Sequence, residues 1–541
     1  MRKPIEKIVI VGGGSAGWMT AALLTKKFPN FKFTLVESPD VPTVGVGEST
    51  LGTLNLFLHL LDLDDKEWME YCNCTYKLSI KFTDFYKVGE TFYYPFGQKD
   101  RKTTLAGLTD WYHKKLLYPE TPWNDFYECV YSTMPLIYNN KMCDNITTPK
   151  LEGYSFKNDS AYHMDAALLA QFLKEKYAIP SGMEYIQQHV TDIIKDADGY
   201  LDHLVLKNGE TVTGDLFIDC TGFKSLLLEQ TMGVPFESFK KWLPNDHAWT
   251  CHVPYHDKEL EMENVTNCTA YNNGWVWNIP LYHRIGSGYV FSSDFISIED
   301  ALEEYKQYLN SDKMTYHDSH RADNLEFRLV KIKNGTHNKC WEKNVVGVGL
   351  SYAFIEPLES TGLFSVTEIL ELLYQILDNE QITKMHEDWF NREANLLMQS
   401  FKCFVTYHYV LSSRKDTPYW KHVTENIEMD KRLIDKQLAE LHTMTAELGN
   451  KLFNEHELGA NMGGLPDIFV GNHLLPVNRM SLEKIKYDGL YTIPGQSMIP
   501  EILKKETLQY WAQKKIKNEL VAAKCPSHYQ YLRQTYHNGK E

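Results

Sequence analysis

The sequence predicts an α/β fold of mixed sheets that becomes mainly helical toward its C-terminus. Three observations carry this. A strand, a glycine-rich loop, a helix and a second strand open the chain. Residues 185–220 read as a strand meander with hairpin turns. From Thr361 onward the apolar spacing is helical. Taken in order, residues 7–11 (KIVIV) form a buried strand, Ala16–Phe28 space Met19, Ala22 and Leu23 as a helix, and 31–37 (FKFTLVE) return as a strand. Asp198-Gly199 and Asn208-Gly209 mark two hairpin turns, and DLFID (215–219) is a buried strand ending at Cys220-Thr221-Gly222. VVGVGL (345–350) is a further buried strand. Tyr162-His163-Met164 leads to Asp165, which caps a helix over Ala166–Leu173.

Composition narrows the function classes. The 541 residues suggest roughly three domain equivalents. Apolar residues at 43% and charged residues at 23% exclude a disordered or disulfide-scaffold chain. A net charge of −15, with no basic run, argues against nucleic acid and anionic membranes as partners. No apolar run reaches the length of about 18 residues that a membrane span needs. Arg2, Lys3 and Lys7 precede an apolar stretch as in a signal peptide, but the glycine loop interrupts that stretch. The ten cysteines are scattered, Cys72 and Cys74 are too close for a usual bridge, and no CxxC pairs with another. A reduced, cytoplasmic protein is expected. No metal-ligand spacing stands out, so no metal is expected.

Gly12-Gly13-Gly14-Ser15-Ala16-Gly17 is a GxGxxG loop after a strand and before a helix, the context in which it holds a dinucleotide pyrophosphate. Glu37 closes the second strand about twenty residues on, where an acid usually binds a ribose hydroxyl. The loop alone leaves FAD and NAD open. The strand ending Asp219-Cys220-Thr221-Gly222, which resembles an element of FAD-dependent hydroxylases, and the lack of a second GxGxxG favour FAD.

Four further motifs occur in order: Val44-Gly45-Val46-Gly47-Glu48-Ser49-Thr50, Tyr76-Lys77-Leu78-Ser79-Ile80-Lys81-Phe82, Gly274-Trp275-Val276-Trp277-Asn278-Ile279-Pro280, and Glu356-Pro357-Leu358-Glu359-Ser360-Thr361-Gly362. Each is short; their joint occurrence resembles the flavin-dependent halogenases of the tryptophan-halogenase type. The resemblance runs from the first strand to about residue 420, where Asp416-Thr417-Pro418-Tyr419-Trp420 is similar to another family stretch. A lysine- and tyrosine-rich composition suits a member carried by a marine phage, acting in the cytoplasm of its host.

The resemblance implies a box-like FAD-binding module resembling flavin hydroxylases (1–100 and 150–385) and a mainly helical substrate-covering module (101–149 and 386–541). It implies that reduced FAD, dioxygen and a halide (chloride, bromide or iodide) generate hypohalous acid, which travels to Lys77 and halogenates an electron-rich aromatic. The family's lysine falls on Lys77 and its glutamate on Glu359. Halide-binding amides fall on Thr361 and Gly362. FAD contacts fall on Gly12, Gly14, Ser15, Ala16, Gly17, Glu37, Glu48, Ser49, Val190 and Leu350. Trp275 and Trp277 form a wall that keeps substrate from the flavin. A separate NAD(P)H-dependent flavin reductase is the implied partner, and a homo-oligomer is compatible with the family.

Residue by residue, blander readings stand beside these. In 76–82, Lys77, Ser79 and Lys81 share the face opposite Tyr76, Leu78, Ile80 and Phe82, and a lysine on such a face is usually solvated. A buried one would hydrogen-bond hypohalous acid or, with a lowered pKa, capture the halogen as a haloamine. Glu359, with Glu356 as its decoy, is a proton acceptor or a first-turn acid favouring the helix dipole. The helix start after Ser360 is an anion site or a helix capped by Ser360 or Thr361. Trp275 and Trp277 are wall or core. The aromatic segment 111–127 is slightly better read as core than as pocket. Where the family often continues the GEST-like segment with proline, Thr50-Leu51-Gly52-Thr53 stands instead. The alternatives are an FAD-dependent aromatic monooxygenase and an inactive flavin-binding interaction protein.

Overall fold

The computed structural model describes residues 4–40, 47–97, 111–112, 114–115, 118–379, 381–427, 464–474 and 505–537. Val44, Gly45 and Val46 of the glycine-glutamate motif lie outside the described residues. The chain forms two compact units. The first comprises residues 1–75, 161–255 and 279–401; the second comprises 76–160, 256–278 and 402–541.

The first unit is organised by a six-stranded sheet in the order Trp341–Glu342, Val345–Gly347, Leu216–Asp219, Lys7–Val11, Lys32–Glu37, Glu184–Gln187. All its pairs are parallel except the edge pair Trp341–Glu342 with Val345–Gly347. Strand order reverses at Lys7–Val11, which pairs with Leu216–Asp219 on one side and Lys32–Glu37 on the other. In open α/β sheets ligands bind outside the C-terminal ends of strands at such a reversal. The hydrophobic runs fit this: Ile8, Val9, Ile10 and Leu35 are fully buried, as strands covered on both faces must be. The helix Ser15–Lys27 comes after the first strand and is buried from Gly17 through Thr25.

The meander is Val190–Lys195, Leu201–Leu206 and Thr211–Thr213, an antiparallel sheet. Gly199 and Gly209 turn its hairpins at φ +78° and +87°. Asp165 accepts from the amides of Ala167 and Leu168 and caps Ala166–Leu173. The late strand stops earlier than its hydrophobicity suggests: Val345–Gly347 is extended, then Gly349–Ser351 turns, with Gly349 at φ +71°.

In the second unit, Gly274–Asn278 pairs antiparallel with Val265–Tyr271, which pairs parallel with Ser79–Thr83, itself antiparallel to Thr91–Pro95. Helices dominate its later described residues: Pro418–Glu425, Leu465–Gly471, Lys505–Ala522 and His528–Thr535. The segment 111–127 divides. Trp111, Tyr112, Phe126 and Tyr127 are fully buried core, with Trp111 edge-on to Phe126 at 5.1 Å. Trp123, partly exposed, stacks on His473 at 4.5 Å.

Asp219 ties the parallel sheet to the helical segment Leu226–Thr231. Fully buried, it accepts from the Thr221 amide (3.0 Å) and hydroxyl (2.7 Å) and from the amides of Leu227 (2.7 Å) and Leu228 (2.8 Å). Removing the acceptor strands buried donors, each costing about 1–3 kcal/mol. Asp219→Ala is expected to lower unfolding free energy by about 3 kcal/mol or more, read by urea denaturation.

Candidate functional site

In the first unit the glycine loop is built by close backbone approach. Gly12 donates to the Val36 carbonyl at 2.8 Å and adopts φ +114°. A Cβ there would lie 2.3 Å from the Cys220 carbonyl oxygen, and one on Gly17 would lie 1.9 Å from the Gly12 carbonyl oxygen. Both positions therefore require glycine. Gly14 differs: its φ is an ordinary −77° and a Cβ there would meet nothing within 4 Å. No side chain caps the helix that starts at Ser15, whose hydroxyl reaches instead to the Ala166 carbonyl at 3.3 Å. The first-turn amides of Ser15, Ala16 and Gly17 have no acceptor within the helix. This cradle, open only where a ligand would approach, fits a dinucleotide pyrophosphate.

The remaining residues expected to contact FAD lie in this unit. Glu37 closes its strand, accepts from the Tyr185 hydroxyl at 2.7 Å and lies 3.6 Å from the Lys174 ammonium. Val190 comes after the corner where His189 bonds Ser38 at 3.1 Å, one residue beyond Glu37. Leu350 sits in the turn whose Gly349 packs on Ala16; a Cβ on Gly349 would come within 2.9 Å of the alanine methyl. Glu48 and Ser49 pair antiparallel with Met164 and His163.

The Glu356–Gly362 segment lies in the first unit. Pro357–Glu359 forms a single tight turn, Ser360 takes the left-handed conformation at φ +57°, and the helix Thr361–Leu377 begins. Of the two readings of this helix start, the cap by Ser360 or Thr361 is absent. No side chain caps this helix, and the Ser360 hydroxyl donates to the Ser49 hydroxyl at 3.0 Å. The left-handed backbone at Ser360 turns that side chain away, leaving the Thr361 and Gly362 amides for an anion. Near Gly362 the closest atom to a Cβ position is Glu48 Oε2, at 3.7 Å. Glu48 is partly buried, and desolvation raises its carboxyl to about 7. Glu356 and Glu359 are both fully buried, but they are not equivalent. Glu356 accepts from the Asn245 amide at 2.7 Å, and its backbone amide donates to Asn334 at 2.7 Å, which makes it a structural acid.

The second unit carries Lys77, Trp275 and Trp277. The strand expected over 76–82 is broken at Leu78, whose amide donates to the Asn264 carbonyl and whose carbonyl accepts from Phe96, each at 2.8 Å. Both faces are buried, so the rule that a lysine on the second face is solvated fails at Lys77. Its exposure is 0%, and its ammonium lies 4.9 Å from the centroid of the Phe96 ring. Lys81 follows the rule better: its side chain is 30% exposed and pairs with Glu263 at 3.6 Å. Trp275 and Trp277 are both buried, their rings 5.8 Å apart and tilted by 54°.

Sequence reasoning missed two groups around Lys77. Phe96 is one. His528 is the other: buried, it accepts the Tyr76 amide proton at 3.1 Å while its second ring nitrogen lies 3.0 Å from the Met262 carbonyl. Burial lowers its pKa to about 4, so it is a neutral acceptor. Separated from Tyr76 by 452 residues, it left no local signal. The DTPYW stretch proves structural: Thr417 caps its helix, and the Trp420 indole donates to the Tyr271 carbonyl at 2.6 Å.

Because Gly14 has room and an ordinary backbone, Gly14→Ala separates ligand from fold. It is expected to leave the melting temperature within a degree or so of wild type and to weaken FAD binding at least about ten-fold, measured by flavin fluorescence.

Comparison with known proteins agrees with this arrangement. The family model described as tryptophan halogenase matches residues 7–470. The tryptophan 6-halogenase SttH of Streptomyces toxytricini is 35% identical over 77% of this chain and 80% of its own. The apo structure of VirX1 is 38% identical with a TM-score of 0.85, covering 98% of this chain and 100% of that one. BrvH, a flavin-dependent halogenase from Brevundimonas sp. BAL3, is 28% identical with a TM-score of 0.81, covering 98% and 99%. No helix among the described residues is long and apolar enough to cross a membrane. The chain belongs to the tryptophan halogenase family, and it is a flavin-dependent halogenase that uses FAD in its reduced form together with a halide.

Proposed function

We propose that this halogenase delivers hypohalous acid to Lys77, which directs it onto a small, electron-rich aromatic substrate. The observation that supports this most is the complete burial of a lysine on a strand face where lysines are normally solvated. Reduced FAD, held at the glycine loop with Glu37, Glu48, Ser49, Val190 and Leu350 about it, supplies the two electrons with which dioxygen and halide become hypohalous acid. The Thr361 and Gly362 amides hold the halide, because an uncapped helix start offers partial positive charge to an anion of any radius the cavity admits. Trp275 and Trp277 wall the organic substrate off from the flavin.

At Lys77 the ammonium donates a hydrogen bond to the oxidant and polarises it, or the amine takes the halogen as a haloamine. Glu359 orients the oxidant and accepts the ring proton as aromaticity returns. The substrate class is indoles first, since the relatives named for their substrate act on tryptophan, then phenols and pyrroles. A separate NAD(P)H-dependent reductase supplies the reduced flavin, as the chain carries one dinucleotide motif and no second.

The test is turnover with a flavin reductase, FAD, bromide and an indole panel, read by mass. A bromine isotope pair supports the proposal; a gain of one oxygen supports hydroxylation. Lys77→Ala is expected to cut organohalide formation by about a hundred-fold or more while flavin reoxidation continues, and Glu359→Gln by about ten-fold. Halogenation by Lys77→Ala at a near wild-type rate contradicts the proposal.

Glu48 adds a pH dependence. Its carboxyl stays protonated, and so neutral, up to about pH 7; above that its negative charge stands beside Gly362 and disfavours a second anion. The bromide KM is expected to rise as pH passes from 6 to 8. In Glu48→Gln that rise should disappear, and steady-state kinetics at several pH values check it.

A further inference from the structure

We propose that Cys143 and Cys525 are a redox-active pair that closes to a disulfide under two-electron oxidants. The geometry comes from a short antiparallel ladder within the second unit. Lys141 bridges Ser527, the Met142 amide donates to the Pro526 carbonyl at 3.1 Å, and the His528 amide donates to the Asn140 carbonyl at 2.9 Å. Two residues further along each strand of that ladder are Cys143 and Cys525. Side chains move by twos onto one face, so these cysteines stand opposite each other on the face that carries Lys141 and Ser527. Opposed Cβ atoms in antiparallel pairs are about 4.5–5.5 Å apart, and a disulfide needs about 3.5–4.5 Å, so a small adjustment closes the bond. In the reduced protein the Cys143 thiol faces Asn145 Oδ1 and the Pro149 carbonyl, each at 3.1 Å, and the Cys525 thiol faces the Val521 carbonyl at 3.4 Å.

The surroundings divide the roles. The Thr148 hydroxyl donates to Cys143 Sγ at 3.3 Å. The neighbouring Cys525 and the Thr148 hydroxyl hold Cys143 below the ordinary thiol range. Cys525 is pushed the other way, by its neighbour Cys143 and by burial. The charged neighbours are Lys141 and Asp144, and Asp144 is itself occupied by the amides of Ile146, Thr147 and Thr148. Cys143 is thus the attacking thiolate and Cys525 the resolving thiol. Cys143 thiolate attacks one oxygen of hydrogen peroxide, the O–O bond breaks, and a sulfenic acid and hydroxide result. Cys525 then attacks the sulfenic sulfur, the S–O bond breaks, and water leaves. In total two thiols lose two electrons and two protons, and one peroxide becomes two waters.

The cross-link falls where it would brace the Lys77 strand. The helix His528–Thr535 begins three residues after Cys525, His528 accepts the Tyr76 amide proton, and the Tyr536 and Tyr76 hydroxyls are 2.5 Å apart. Tyr531 adds a bond to Asp144 at 3.2 Å. A bond between Cys143 and Cys525 ties this C-terminal brace to the 140–151 segment.

The experiment uses the full chain, purified reduced, freed of reductant, exposed to stoichiometric hydrogen peroxide, alkylated and mapped without reduction. The expected result is a peptide pair linked through Cys143 and Cys525, two hydrogens lighter than the free thiols and released by dithiothreitol. Oxidised wild type should melt several degrees above the reduced form, and this rise should be missing in Cys143→Ser and Cys525→Ser. In Cys525→Ser, Cys143 should instead be trapped as a sulfenic acid by a dimedone probe. Over-oxidation of wild-type Cys143 without a cross-link, a link from Cys525 to another cysteine, or two unmodified thiols would each overturn the proposal. Organohalide formation plays no part in the readout, so the result is independent of the substrate reading.

Discussion

The arrangement depends on a fully buried lysine side chain. Taking such a cation out of water costs several kcal/mol even after relaxation. The Phe96 ring face, 4.9 Å away, returns about 0.5–2 kcal/mol. The local structure is organised to hold Lys77: the strand breaks at Leu78, whose backbone is satisfied by Asn264 and Phe96, and a neutral histidine receives the Tyr76 amide.

The first unit solves a different problem, that of holding anions without spending cations. Among the helices that begin there without a side-chain cap are those at Ser15, after extended Gly14, and at Thr361, after left-handed Ser360. Others are capped, by Asp165 before Ala166–Leu173 and Ser297 before Ile298–Leu309. An uncapped start leaves amides that bind a ligand or water. The glycine loop suits a pyrophosphate, and the Thr361 start, with Glu48 beside it, suits a single small anion. Each is a local consequence of one backbone choice, glycine at 12 and a positive φ at 360.

Much of this was legible in the sequence, and the exceptions are instructive. The opening βαβ unit, both hairpin turns, the Asp165 cap and the helix from Thr361 arise from short-range patterns of apolar spacing and turn chemistry. The glycine loop and Glu37 were legible for the same reason. Lys77 was not: alternation puts it on the face where Lys81 does meet solvent, and only the joint motif distinguished the two. The alternative of a cap by Ser360 or Thr361 fails at Ser360 because that residue carries a left-handed backbone that no local residue signals. His528 and the Cys143–Cys525 pair are products of chain return over hundreds of residues, which periodicity cannot report. The Gly349 turn shortened a strand that hydrophobicity alone extended.

The central claim is that an amine is kept from bulk water in the second unit. Competitive acetylation of the native protein, quantified by peptide mass spectrometry, tests it without requiring turnover. Lys77 should remain unmodified under conditions that label Lys81 and should become labelled only on denaturation. Acetylation of Lys77 in the native protein at the rate of Lys81 would contradict the account.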